Sequence, residues 1–316
     1  MSSVTGQCVG IDISEDFLDV YLHPEGKEVR LPHSDEGTAA LLALLRDYKI
    51  ERVVLESTGG LQRRLVRSLQ EAGYAVSVVN PERIWAYRRL VGRVAKTDRI
   101  DARLIAEYGA TMRPPASVPL SEAQQAMREL TSRRDQLIEA IAAEKKRLRR
   151  VSHEAVRSSL RSQIAFLEAE VKRLELAIAE AVSAEKATRA TADILVSIPG
   201  VGKLTANLMA IDLPELGRLD DKRIASLAGV APHPDESGKY RGRSYIRGGR
   251  PRVRAKLYMA AFNARKYNPV IAAFYTRLVS RGKPFKQAMT ACMRKLLVLM
   301  NTLVARGELW DPIHAT

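Results

Sequence analysis

Four acids carry the first chemical signal in the chain: Asp12, Glu56, Asp98 and Asp101. Asp12 follows the apolar run Cys8-Val9-Gly10-Ile11, and Glu56 closes a second run, Val53-Val54-Leu55. Each is therefore expected at the carboxyl end of a short buried strand, where both would point into one crevice. Thr97 is a good N-cap ahead of the helical pattern Ile100, Leu104, Ile105, and the i, i+3 spacing of Asp98 and Asp101 puts them on one helix face. Oxygen ligands are what Mg²⁺ prefers, and paired ions ~4 Å apart can clamp the attacking and leaving oxygens of a phosphoryl displacement. Taken singly, each acid also reads as an ordinary surface carboxylate, and Asp98 and Asp101 would suit a helix N-terminus through its dipole. Four of them in one alternating α/β segment favour a metal-dependent nuclease.

The elements that must position these acids follow from apolar periodicity. Residues 9–13 and 17–22 read as a hairpin around Ser14-Glu15-Asp16. A helix over 38–48, a strand over 52–56, a helix over 61–72 and a strand over 75–79 come next. An antiparallel opening followed by β-α-β units resembles the ribonuclease-H-like architecture of resolvases and many transposases. Pro114-Pro115 and Pro119 then mark a boundary, because their rings remove backbone donors and hold the preceding residues extended.

Beyond that boundary the pattern is helical. Leu130, Leu137, Ile141, Leu148 and Val151 recur at three- and four-residue steps. Leu160, Ile164, Leu167, Val171, Leu174 and Ile178 form a heptad seam that reads as a coiled coil. The turn-like segment 152–159 allows an antiparallel hairpin within one chain, and the narrow stripe equally suits association between chains, the arrangement favoured here. From residue 191, short helices broken by glycine take over. Ser197-Ile198-Pro199-Gly200-Val201-Gly202 looks like a helix-hairpin-helix turn whose exposed N–H groups, around Gly200 and Gly202, could receive a phosphate. A plain corner needing glycine for positive φ fits the same residues.

The 316 residues hold 51 Lys and Arg against 36 Asp and Glu, a formal charge of +15, which points to a polyanionic partner. A membrane surface would ask for an amphipathic helix with aromatic anchors, and aromatics are only 5% of the chain. Two cysteines exclude a disulfide framework, and the dispersed histidines lack zinc-ligand spacing. With no signal-peptide pattern, and with Asn301 interrupting the apolar stretch 296–304, the expectation is a soluble cytoplasmic protein. Lys239, Arg241, Arg243, Arg247, Arg250, Arg252, Arg254 and Lys256 form a run with no acid among them. Such a run is expected to escape local neutralisation and to grip a phosphate backbone, with Tyr240 and Tyr245 available for stacking. Ser237 lies just ahead of it. A serine attacking DNA needs cations around the phosphate and a nearby base or metal, although serine before glycine is usually a turn residue and Ser244 is an equally placed rival.

Gly10-Ile11-Asp12, Glu56-Ser57-Thr58-Gly59, Lys96-Thr97-Asp98-Arg99-Ile100-Asp101-Ala102-Arg103, the segment 197–202 and Glu236-Ser237-Gly238 together resemble the DEDD transposases of the insertion-sequence one-ten family, in order and in spacing. The resemblance runs from Val9 to about Arg306. It implies α/β plus all-α architecture: a RuvC-like nuclease domain over 1–115, a coiled-coil region over 116–190, and a mainly helical C-terminal transposase domain over 191–316. It also implies that Asp12, Glu56, Asp98 and Asp101 bind Mg²⁺ and that Ser237, rather than Ser244, is the nucleophile. The expected partners are donor and target DNA, a structured bridge RNA that chooses sequence by pairing, and further copies of the chain as a dimer pairing into a tetramer. The expected activity is a guided recombinase working through a phosphoserine link, associated with the nucleoid when it acts. A junction-resolving metal endonuclease without a serine intermediate is the alternative.

Overall fold

The computed structural model describes residues 6–92, 98–233, 236–237, 240–241 and 245–311, with only the main chain at 98–100, 236–237 and 240–241. These fall into two compact units, Met1–Pro119 and Leu120–Thr316. The first is mixed α/β and the second is mainly helical.

The first unit is built on a five-stranded sheet of order β3-β2-β1-β4-β5. Strands β1 (Gln7–Ile13), β2 (Phe17–His23) and β3 (Lys27–Pro32) are antiparallel, whereas β4 (Ile50–Glu56) and β5 (Val76–Val79) run parallel to β1. Alternation along the strands sends Val9, Ile11, Val53 and Leu55 to one face, against Leu41 and Leu45 of α1 (Asp35–Arg46) and Leu65 and Leu69 of α2 (Gln62–Glu71). Cys8 and Val54 point the other way, against Ile84 of α3 (Pro81–Leu90) and Leu104, Ile105 and Tyr108 of α4 (Asp98–Met112). Helices thus cover both faces. Strand β3 was not expected from the sequence; its residues, Lys-Glu-Val-Arg-Leu-Pro, offer no apolar run because it is an edge strand with one exposed face. At the opposite edge the proline-rich segment lies along β5: Ser117 N–H donates to Val76 O at 2.7 Å, and Val78 N–H to Ser117 Oγ at 3.0 Å.

The second unit opens with α5 (Glu122–Leu148), started by a capping box of Ser121 and Gln124, and α6 (Glu154–Ala184). The two pack antiparallel, as the pairs Arg134–Glu175 and Lys145–Glu168 require. Leu137 and Ile141 fill the stripe of Ile164, Leu167, Val171 and Leu174. This corrects the preference for association between chains: the short connection after Leu148 lets α6 fold back, so the seam is covered within one chain. The hairpin also buries Met127, Ile178 and Val182 against Leu208 and Ile211, and so belongs to the same unit as the helices after it.

Those helices are α7 (Lys186–Ser197), α8 (Lys203–Asp212), α9 (Asp221–Ala228), α10 (Pro251–Tyr267), α11 (Pro269–Ser280) and α12 (Phe285–Arg306). A large core joins them through residues such as Leu195, Met209, Ile224, Leu257, Ile271 and Leu296. Among the described residues, α12 alone is long and apolar enough to cross a membrane, and half of its apolar window is buried within the protein. Its interrupting polar residue, Asn301, is buried and satisfied, accepting from Gly217 N–H and donating to Leu219 O, both at 2.9 Å.

Candidate active site and basic segments

Asp12 and Glu56 stand at the carboxyl ends of neighbouring parallel strands. The register pairs Ile11 with Leu55, so the two acids follow one residue later on the face opposite those apolar side chains. Both are half-buried, and Asp12 Oδ1 accepts from Ile13 N–H at 3.1 Å. The chain leaving Glu56 is fastened by Gln62, whose Oε1 accepts from Thr58 N–H at 3.2 Å and Gly60 N–H at 3.1 Å.

The same face carries α4, and glycine sets its distance. A Cβ on Gly10 would lie 2.2 Å from Ala102 O and 2.3 Å from Ala106 N. One on Gly109 would lie 2.5 Å from Cys8 Sγ and 2.6 Å from Val54 Cγ2. Moving from Cys8 to Gly10 therefore moves back along α4 from Gly109 toward Ala102, so helix and strand are antiparallel. Two more strand residues advance ~7 Å, the length of roughly four or five helical residues, which brings the first turn of α4 to the end where Asp12 sits. Residues 98–101 open that turn.

Asp101 is engaged by another group. Its carboxylate pairs with Arg88 of α3, and both side chains are 14% exposed. Asp19, directly across the β1–β2 ladder from Asp12, is buried and held by Arg30 through two hydrogen bonds of 2.8 and 2.7 Å. Sequence reasoning missed both arginines, and only the cross-strand register and the α3–α4 packing bring them in. The oxygen-only donor set of Asp12 and Glu56, with the α4 N-terminus at the same end, suits a hard cation. Among the described residues no three His, Cys, Asp or Glu group closely enough to hold one, and the Asp98 side chain lies outside them.

Ser237 lies in the other unit, in a ribbon between α9 and α10. Pro232 and His233 pair with Ile246 and Tyr245; further out, Glu236 and Ser237 pair with Arg241 and Tyr240, near the ribbon's tip. Lys239, Arg243 and Ser244 lie outside the described residues, as do the side chains of Ser237 and Arg241.

The rest of the basic run corrects the expectation that it cannot be neutralised within the chain. Arg250 grips both carboxylate oxygens of Glu215, at 2.7 and 2.6 Å, and donates to Asp212 O. Arg252 pairs with Asp135 of α5 at 2.7 Å. Lys256, 10% exposed, bridges Asp135 and Asp212. Arg254 donates to Gly248 O at 2.8 Å and to Gly229 O. Burial alone would raise the carboxyl groups of Asp135 and Glu215, but Lys256 and Arg252 at the first and Arg250 at the second outweigh it and hold both below the ordinary range. Arg247 is exposed. These acids are distant in sequence, so the run alone could not reveal them.

The glycine turn divides in the same way. Gly200 has φ +91°, and a Cβ there would lie 2.5 Å from Ala264 Cα of α10; packing accounts for it. Gly202 is exposed at the N-cap of α8 with open space around it.

Comparison with known proteins agrees with the order of these elements. Residues 9–155 match the DEDD transposase family of IS110, described as a transposase, and residues 192–276 match the family described as "Transposase IS116/IS110/IS902 family". The chain is 26% identical to the pilin gene-inverting protein of Moraxella lacunata over 314 residues, which is 96% of this chain and 97% of that one. The pilin gene-inverting protein of Moraxella bovis matches to the same extent. An insertion element IS110 protein of 43.6 kDa from Streptomyces coelicolor is 27% identical over 120 residues, 37% of this chain and 30% of that one.

Proposed function

Because this chain belongs to the IS110 family of transposases, enzymes that cut and rejoin DNA, we propose that it exchanges strands of donor and target DNA under a structured bridge RNA, with Ser237 as the attacking group. The observation that carries the cutting half is the alignment of Asp12 and Glu56 on adjacent parallel strands beneath the first turn of α4. The strand order, antiparallel then parallel, supports a RuvC-like, ribonuclease-H-like nuclease domain. Asp12, Glu56, Asp98 and Asp101 would hold Mg²⁺, which supplies charge stabilisation at the scissile phosphate when bound. In this reading Arg88 holds the Asp101 carboxylate in place until that ion enters.

The Ser237 hydroxyl attacks phosphorus, forming an Oγ–P bond as the bond to the 3′ oxygen breaks. The serine proton ends on that oxygen, leaving a phosphoserine and a free 3′-hydroxyl. The phosphodiester energy is retained, so rejoining on a new partner is the reverse step and needs no ATP. Acids and serine belong to different compact units, which supports a centre completed by assembly, as a dimer pairing into a tetramer. With the α5–α6 stripe covered within the chain, that assembly uses other surfaces.

Denaturing electrophoresis after incubation with substrate DNA and bridge RNA tests the proposal. A covalent protein–DNA species is expected, lost in Ser237→Ala, and cutting is expected to vanish in Asp12→Asn. DNA cut by Ser237→Ala at the parental rate, with no covalent species from the parent, would replace this reading with a water-using junction endonuclease.

A further inference from the structure

Between Ser237 and Gly307 the chain has seventeen Lys and Arg and no Asp or Glu. The eight that run from Arg265 to Lys295 lie on α10, α11, α12 and their connections, three helices that pack on one another. Among the described residues none of these eight forms an ion pair. Four of them, Arg265, Lys266, Arg277 and Lys295, lie over aromatic rings instead. The Arg265 guanidinium lies 4.2 Å from the Phe262 ring centre, 5.5 Å from Tyr275 and 5.7 Å from Phe285, so rings from three helices surround one cation. Arg277 and Lys295, from different helices, each lie 5.2 Å from Phe274, and Lys266 lies 6.0 Å from Phe262. Arg265 and Lys295 both act on the buried thiol of Cys292, which burial nevertheless pushes up to about 11, so the two cations share one side of the helices. Ring contacts restrain a cation without using its N–H donors; Arg265 spends only its Nε–H, on Phe262 O at 3.3 Å, so the outer guanidinium nitrogens are left for an acceptor.

Exposed rings accompany the charge: Tyr267 is 68% exposed and Phe285 44%. A duplex hides its base faces and gives such rings nothing to stack on, whereas an unpaired strand offers both phosphates and bases. An enzyme that exchanges strands must hold one between cutting and rejoining. Resting on the transposase reading, we propose that the α10–α12 face binds a single strand of DNA. Its phosphates lie on Arg265, Lys266, Arg277 and Lys295, and its bases against Tyr267 and Phe285.

The test is fluorescence anisotropy with the full chain and a labelled single-stranded DNA of mixed sequence, the same sequence as duplex, and the same sequence as single-stranded RNA. Lys266, Arg277 and Lys295 are exposed, so their triple replacement by Gln is expected to keep the parental melting temperature. It should weaken single-strand DNA binding at least tenfold and flatten the salt dependence by about 0.7 log units per lost contact, roughly 2 for the three. Phe285→Leu should lower single-strand affinity about tenfold and leave duplex affinity unchanged. Parental binding by the triple variant, an equal loss on duplex, or tighter binding of the RNA strand would each overturn the proposal. Cutting is followed in parallel: a parent that holds single strands through this face but never cuts DNA refutes the transposase chemistry alone, and a cutting parent with an inert face refutes the face alone.

Discussion

Two stretches of the C-terminal unit carry eight cations each, one from Lys239 to Lys256 and the other from Arg265 to Lys295. The first is denser along the chain, yet Arg250, Arg252 and Lys256 are turned onto Glu215, Asp135 and Asp212, and Arg254 onto backbone carbonyls. The second is dispersed over three helices, yet packing gathers it, and its partners are rings rather than carboxylates. Charge density along a chain and charge density in space are separate quantities. In the first stretch the cations fasten α10 to α5 and to the segment after α8; in the second they remain open to a ligand.

Lys256→Ala should show the contrast most strongly. Leaving Asp135 and Asp212 facing each other without their shared ammonium should cost ~3 kcal/mol of stability by denaturant titration. Lys295→Ala, on the open face, should change stability by less than ~0.5 kcal/mol. Parity between the two would erase the distinction. Acid gives the next effect. Asp135 and Glu215 are held below their unfolded values, so their stabilisation is complete above the ordinary carboxylate pKa of about 4 and is lost as pH falls through the depressed values. Glu215→Gln should be less stable near neutrality and lose less on acidification, read from unfolding midpoints between about pH 6 and about pH 2. Arg247→Ala, exposed within the first stretch, should leave stability within ~0.5 kcal/mol. If the ribbon grips phosphate, it should also flatten the salt dependence of duplex binding by about 0.9 log units. An unchanged slope would remove the ribbon's base from the interface.

What the sequence made legible has a common physical origin. Asp12 and Glu56 close apolar runs, and an apolar run ending in an acid is a local pattern that strand geometry carries directly into space. The helical hairpin was legible for the same reason, but its partner was not: a stripe records that something must cover it, not which chain does. Edge strand β3, the Arg88–Asp101 and Arg30–Asp19 pairs, and the acids that quench the basic run all depend on contacts between distant segments. The absence of acids from Ser237 to Gly307 is equally a property of the sequence, but its second half is spread thinly along the chain and gathers only on packing. Ser237 itself gained its rank from family resemblance, since a serine before glycine carries no local mark of reactivity.

Gly10 lets α4 rest main chain against strand with no side chain as a spacer, and Gly109 makes room on the helix for the side chains of Cys8 and Val54. Near the acids, the offset between those of the sheet and those opening the helix is therefore set by the polypeptide backbone at Gly10. Exchanging one aliphatic group for another on the opposite face of the sheet, among Val9, Ile11, Val53 and Leu55, leaves that ruler unaltered. Adding a single methyl at Gly10 lengthens it, so a change two residues from the first acid would be felt there first.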